Sequence, residues 1–96
     1  MKNILYAGHD FTTTDDVAAA LLDFVASLAR TQPPEVVTIP VIIDGRTTEA
    51  ALVLTAVTPI AVVDVELHDM ELDGAQYAAA VLRHKTQRLD SVGIIH

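Results

Sequence analysis

The chain has no cysteine and no tryptophan, and two phenylalanines and two tyrosines are its only aromatic residues. Without cysteine there can be no disulfide, no thiolate nucleophile and no thiolate metal site. The core must therefore be built from aliphatic side chains, which pack well but supply few large anchors. Glycine is also sparse. Gly8, Gly45, Gly74 and Gly93 stand far apart, so neither the Gly-x-Gly-x-x-Gly fingerprint nor a P-loop can form, and no phosphate-cradling loop is expected. Lys and Arg number 6 against 13 Asp and Glu, a net charge of −7, which disfavours nucleic acid and anionic membranes as partners. The longest uncharged stretch, residues 50–63, contains Pro59 and falls short of the ~20 apolar residues a membrane helix needs. The apolar run after Met1-Lys2-Asn3 ends at Gly8, too early for a secretory leader. These absences lead us to expect a soluble, cytoplasmic protein with no nucleic-acid or membrane partner.

What the chain does have is aliphatic surface. Hydrophobic residues make up 51% and charged residues 20%, against typical values of about 45–50% and about 25%. Much of this lies in residues 36–65, where charge occurs only at Asp44, Arg46, Glu49 and Asp64. A chain of 96 residues is expected to form a single domain, 1–96, with a thin core, so apolar surface in excess of that core suggests burial against another chain.

Residues 3–7 read as a first strand stopped by Gly8, followed by a loop over 8–12. Thr12, Thr13 and Thr14 offer N-caps for a helix in which Val17, Leu21, Phe24, Val25 and Leu28 form one apolar stripe, and Pro33-Pro34 prevents its continuation. From Glu35 to Asp44 the positions Val37, Ile39, Val41 and Ile43 alternate with mixed neighbours, as in a strand, and Pro40 implies an edge or a bulge. Asp44-Gly45 between apolar runs is the signature of a two-residue hairpin, which predicts a return strand from Glu49 to Val57. A helix capped at Thr47 or Thr48 is the competing reading. After Thr58-Pro59, residues 60–68 alternate, with Ala61, Val63, Val65 and Leu67 on one face and Asp64, Glu66 and His68 on a water-facing one. Asp73 with Gln76 caps a last helix through Tyr77, Ala78, Val81, Leu82 and Leu89. Arg83, Lys85 and Arg88 are read as cations near its C-terminus, where the helix dipole favours them. Residues 92–96 either add a short edge strand or pack.

The expected fold is α+β, a two-layer α/β sandwich of order β-α-β-β-β-α, whose mainly antiparallel sheet carries both helices on one face. The alternative is a parallel three-layer β-α-β-α-β-α arrangement. In the first, Val36, Ile42, Val53 and Val57 lie on the uncovered face and form the expected interface. The expected function is accordingly non-enzymatic: protein–protein association, as a homo-oligomer, with no cofactor and no assigned catalytic residue. One alternative is a small metal-dependent or acid–base enzyme using His9, Asp10, Asp64, Glu66 and His68, with Asp64, Glu66, His68 and His9 as weak metal candidates. Another is an acidic inhibitor whose Asp64, Glu66, Asp69, Glu71 and Asp73 mimic phosphates toward a basic partner. Asp69-x-Glu71-x-Asp73-Gly74 resembles the opening of an EF-hand loop, but its twelfth position is Ala80, where the bidentate Glu belongs.

Overall fold

The computed structural model describes residues 1–68 and 70–94. Strands β1 (Lys2–Tyr6) and β2 (His9–Thr13) are followed by helix α1 (Asp15–Ser27), strands β3 (Glu35–Ile43), β4 (Arg46–Leu54) and β5 (Ile60–Asp64), and helix α2 (Ala75–Ile94). The five strands make one antiparallel sheet in the order β4-β3-β2-β1-β5. The fold is thus the expected α+β arrangement with one strand more than the pattern predicted.

That strand is β2. Ala7 and Gly8 both take positive φ (50° and 80°), the geometry of a two-residue hairpin turn, and Tyr6 and His9 close the ladder beside it. Residues expected to form a loop instead alternate, with Phe11 and Thr13 inward and Asp10 and Thr12 outward. The helix cap falls at the last of the three threonines. Thr14 Oγ1 accepts a hydrogen bond from the Val17 N–H (3.2 Å), and Asp15 and Asp16 occupy the first turn.

Asp44 and Gly45 form the second hairpin of this kind, with φ of 51° and 76°, which excludes a helix over residues 47–57. A two-residue turn makes Ile43 and Arg46 a hydrogen-bonded pair, so alternate partners, among them Pro40 with Glu49 and Val36 with Val53, turn their backbone groups away from each other. Pro40 is therefore neither at an edge nor a disruption of the β3–β4 ladder. The side on which it lacks an N–H is the side toward β2, and there the ladder shrinks to one register pair, Thr12 with Ile42. A side chain compensates: the buried Thr13 hydroxyl donates to the Pro40 carbonyl at 2.8 Å.

A second bond reaches across the same junction. The Tyr6 hydroxyl donates to the Val53 carbonyl (2.8 Å) and accepts from the Val53 N–H (3.1 Å). In a flat sheet β1 and β4 would lie about 14 Å apart, three strand spacings and well beyond one tyrosine side chain. The sheet is therefore strongly coiled, and Tyr6 closes it onto the outer edge of β4.

Ile4, Phe11, Val37, Ile39, Val41, Leu52 and Leu54 face the helices, which contribute Val17, Leu21, Phe24, Ala78, Ala79 and Leu82 to one core cluster. Burial of a side chain such as Phe24 stabilises by about 1.5–3 kcal/mol. Four expectations about faces and ends are corrected. On β5 the inward residues are Ile60 and Val62, the latter paired with the fully buried Ile4, while Ala61 and Val63 face outward. Tyr77 is 76% exposed, since the inward stripe of α2 runs through Ala75, Ala78, Ala79 and Leu82. The residue before α2 is Gly74, at φ 83°, whose carbonyl accepts from the Ala78 N–H, so Asp73 is displaced from the cap. Helix α2 also continues to Ile94 in place of an edge strand, and residues 95–96 lie outside the described residues.

Replacing Thr13 with Val keeps shape but leaves the Pro40 carbonyl without its partner, and should cost about 1–3 kcal/mol in urea denaturation. Tyr6→Phe removes both bonds to Val53 at a more exposed site and should cost about 0.5–1.5 kcal/mol, with faster hydrogen exchange at the Val53 amide.

Candidate functional site

The sheet has one covered face and one open one. Register places Asn3 and Leu5 of β1, Asp10 and Thr12 of β2, and Ala61 and Val63 of β5 on the open side. From β3 and β4 come Val36 opposite Val53, Thr38 opposite Ala51, Pro40 opposite Glu49 and Ile42 opposite Thr47, with Pro40 buried and Ile42 half-buried. Asp10 and Glu49 are the charged residues of this face, and no Lys or Arg lies on it. Leu5, Val36, Val53 and Val63 are exposed there, Val36 by 62% and Val53 by 52%.

The four expected interface residues fall in three environments. Val36 and Val53 are direct cross-strand neighbours near the open end of the β3–β4 hairpin. Ile42 is half-buried and packs against the core cluster. Val57 is exposed, but β4 ends at Leu54, so it sits in the β4–β5 connection and not on a strand. Thr55 and Thr58 shape that connection: the Thr55 N–H donates to Thr58 Oγ1 at 2.7 Å, which presents Val57 at the loop apex. Leu5 and Val63 join this surface through β1 and β5, and their outward setting was not legible because the faces of β5 are reversed from the expected ones.

The residues of the acid–base and metal alternatives do not come together. His9 and Asp10 are neighbours on β2, so their side chains take opposite faces of the sheet. His9 lies beside Tyr6 at one end of β1, whereas Asp64 pairs with Lys2 at the other. Residues 65–68 continue past Met1, whose carbonyl accepts from the Val65 N–H. His9 and His68 are thus separated by the length of β1, on the order of 16 Å. Strand β5 stops at Asp64, which removes Glu66 and His68 from the single strand face on which the three were expected to align. Asp69 lies outside the described residues. Among the described residues no group of three or more His, Asp or Glu side chains gathers to hold a metal ion. A cavity of about 670 Å³ at the β1–β2 turn does include His9 and Asp10, but its other walls are Leu5, Tyr6, Ala7, Gly8 and residues 59–61, with no further acid, base or nucleophile except the Tyr6 hydroxyl already committed to Val53.

Charge is used elsewhere, to tie elements together. Arg83 of α2 makes a two-pronged contact with Asp16 of α1, one arm at 3.1 Å. Lys85 lies 3.6 Å from Glu35 of β3, and Lys2 bonds Asp64 across the β1–β5 ladder. The basic residues of α2 are therefore not a C-terminal dipole device: no basic residue lies in its last turn, and Arg83 and Lys85 face acids on neighbouring elements. The hydrogen bond from Arg83, assisted by its charge, lowers the pKa of Asp16, and Lys2 does the same for Asp64. A carboxylate whose pKa is depressed in the folded state contributes stability above its unfolded pKa, near about 4, and loses that contribution as pH falls through the lower folded value. Both pairs are exposed, so the effect is small and screened by salt. In the doubly substituted Asp16→Asn, Asp64→Asn protein, the fall in Tm between pH 6 and pH 3 should be shallower than in the parent, and 1 M salt should narrow the difference.

Comparison with known proteins brings no match: no family model fits the chain, and no curated protein and no solved structure resembles it significantly.

Proposed function

We propose that this protein acts by association, with a second copy of itself seated on the open face of the sheet. The observation that carries the reading is the charge pattern. In a chain with 19 charged residues, the outward strand positions of this face hold two, Asp10 on the central strand β2 and Glu49 on β4, beside uncharged Leu5, Val36, Thr38, Ala51, Val53 and Val63. Depletion of charge is what distinguishes interface cores from ordinary surface. Two copies, each of net charge −7, approach most easily where each presents few charges, which favours this face.

A two-fold axis through the face would set Val36 and Val53 of one copy against the same patch on the other, an isologous arrangement that closes at the dimer. Small residues such as Ala51, Ala61 and Thr38 permit the ~10 Å separation of stacked sheets. In this reading the chain works in the cytoplasm as a structural or scaffolding dimer and not as a catalyst. No described helix is long and apolar enough to cross a membrane.

Sedimentation equilibrium at micromolar concentration should return twice the chain mass. Val53→Glu, at an exposed position where folding needs no apolar group, should return the monomer with an unchanged circular dichroism spectrum. A parent protein that sediments as a clean monomer, or a Val53→Glu protein that dimerises as the parent does, would refute the proposal.

A further inference from the structure

The outer edge of β4 is separate from the open face and carries its own chemistry. Strand β4 is terminal in the sheet, and the turn-fixed register sends the backbone groups of Thr47, Glu49, Ala51 and Val53 away from β3. At Val53 both groups are taken by the Tyr6 hydroxyl. Among the described residues no other element pairs with the edge at Thr47, Glu49 and Ala51, so three residues present an N–H and a C=O each in the alternating pattern an added strand requires. Beside this edge lies a cavity of about 540 Å³, bounded by Pro40, Thr47, Thr48 and Glu49 on the sheet and by residues 71–74 before α2. Its charged walls are Glu49, Glu71 and Asp73, and no cationic side chain lines it.

We propose that this edge receives an extended, basic polypeptide segment as a sixth strand, antiparallel or parallel to β4 over Thr47 to Ala51. The backbone supplies the binding energy and the carboxylates supply the selection. An added strand pairs its own N–H and C=O groups with those of Thr47, Glu49 and Ala51, and its alternate side chains fall on either side of the new ladder. Side chains that enter the adjoining cavity meet Glu49, Glu71 and Asp73, so Lys or Arg there is drawn in and Asp or Glu repelled. A second copy of this chain is a poor occupant. Pairing β4 with its own two-fold copy about Glu49 sets Glu49 against Glu49, and the neighbouring carboxylates add to the repulsion. Tyr6 fixes where the site ends, because its hydroxyl blocks the edge at Val53.

The test uses the intact chain and three short capped peptides: alternating lysine and valine, alternating glutamate and valine, and the lysine peptide with N-methyl groups on alternate residues. Fluorescence anisotropy of the labelled lysine peptide should show saturable binding, and hydrogen exchange of the Thr47, Glu49 and Ala51 amides should slow when it is added. The glutamate peptide and the N-methylated peptide should fail to bind. The paired substitution Glu71→Gln, Asp73→Asn should weaken binding by about three- to tenfold, and rising salt should remove the difference. Ala51→Pro, tolerated on an edge because the lost N–H points outward, should weaken it by about fivefold. Should Ala51→Pro fail to fold, the N-methylated peptide carries the same comparison in the parent protein. Equal binding of the glutamate peptide, retention of affinity by the N-methylated peptide, or no binding of any peptide up to millimolar concentration would overturn the proposal. So would edge-amide protection that appears without peptide as protein concentration rises, since that assigns the edge to a second copy. A monomeric parent protein would leave this proposal standing and remove only the dimer.

Discussion

The sheet is held together where its hydrogen-bond ladder is weakest. On one side of the junction the long β3–β4 hairpin is continuous from the Glu35–Leu54 pair to the Ile43–Arg46 pair, and on the other β2, β1 and β5 form a compact meander. Between them stands Pro40, whose missing N–H faces β2. The two halves meet through the Thr12–Ile42 pair, the Thr13 hydroxyl on the Pro40 carbonyl, and the Tyr6 hydroxyl on Val53. One backbone pair and two side-chain hydroxyls thus do what a longer ladder does elsewhere. Thr13 is fully buried, so its bond lies in a low-dielectric setting where an unpaired partner is costly.

Coiling of the sheet follows from that junction and arranges everything else. A coiled sheet wraps its inner face around α1 and α2, which lets a core without tryptophan close around Phe24, Ile4, Leu21 and Ile39. Its outer face keeps Val36 and Val53 in the open. Ion pairs from α2 to α1 and to β3 orient the second helix on the first layer, and their exposure makes them positioning contacts more than sources of stability. The two surfaces left over differ in kind. One is a face sparse in charge, with Asp10 and Glu49 among apolar and small residues, and the other is a polar backbone edge beside three carboxylates.

Local chemistry was legible wherever it sufficed. Asp44-Gly45 specifies its hairpin because both residues tolerate positive φ, and the apolar spacing of Val17, Leu21, Phe24 and Val25 specifies the buried stripe of α1. The β1–β2 hairpin was not legible by the same rule. Ala7 is an unusual residue at positive φ, and the threonines that end β2 are equally good helix caps, so two local signals competed over the same residues. On β5 each face offers apolar residues, and only the pairing of Val62 with Ile4 decides which face is inner. The five residues considered for acid–base or metal chemistry were legible as types, but the length of β1 keeps the two groups apart.

By itself the sequence determined composition and its consequences: an aliphatic core, an acidic surface, an α+β alternation of elements, one obligatory turn at Asp44-Gly45, and an excess of apolar side chains over what a thin core can bury. Those properties are local, set by side-chain volume, charge and backbone freedom within a few residues. Only the tertiary structure decided which apolar residues stay outside, that Pro40 faces β2, that Tyr6 reaches Val53, and that β4 and not β3 ends the sheet. Strand order and face assignment depend on contacts between residues dozens of positions apart, and a period-two pattern reads the same whichever neighbour it meets.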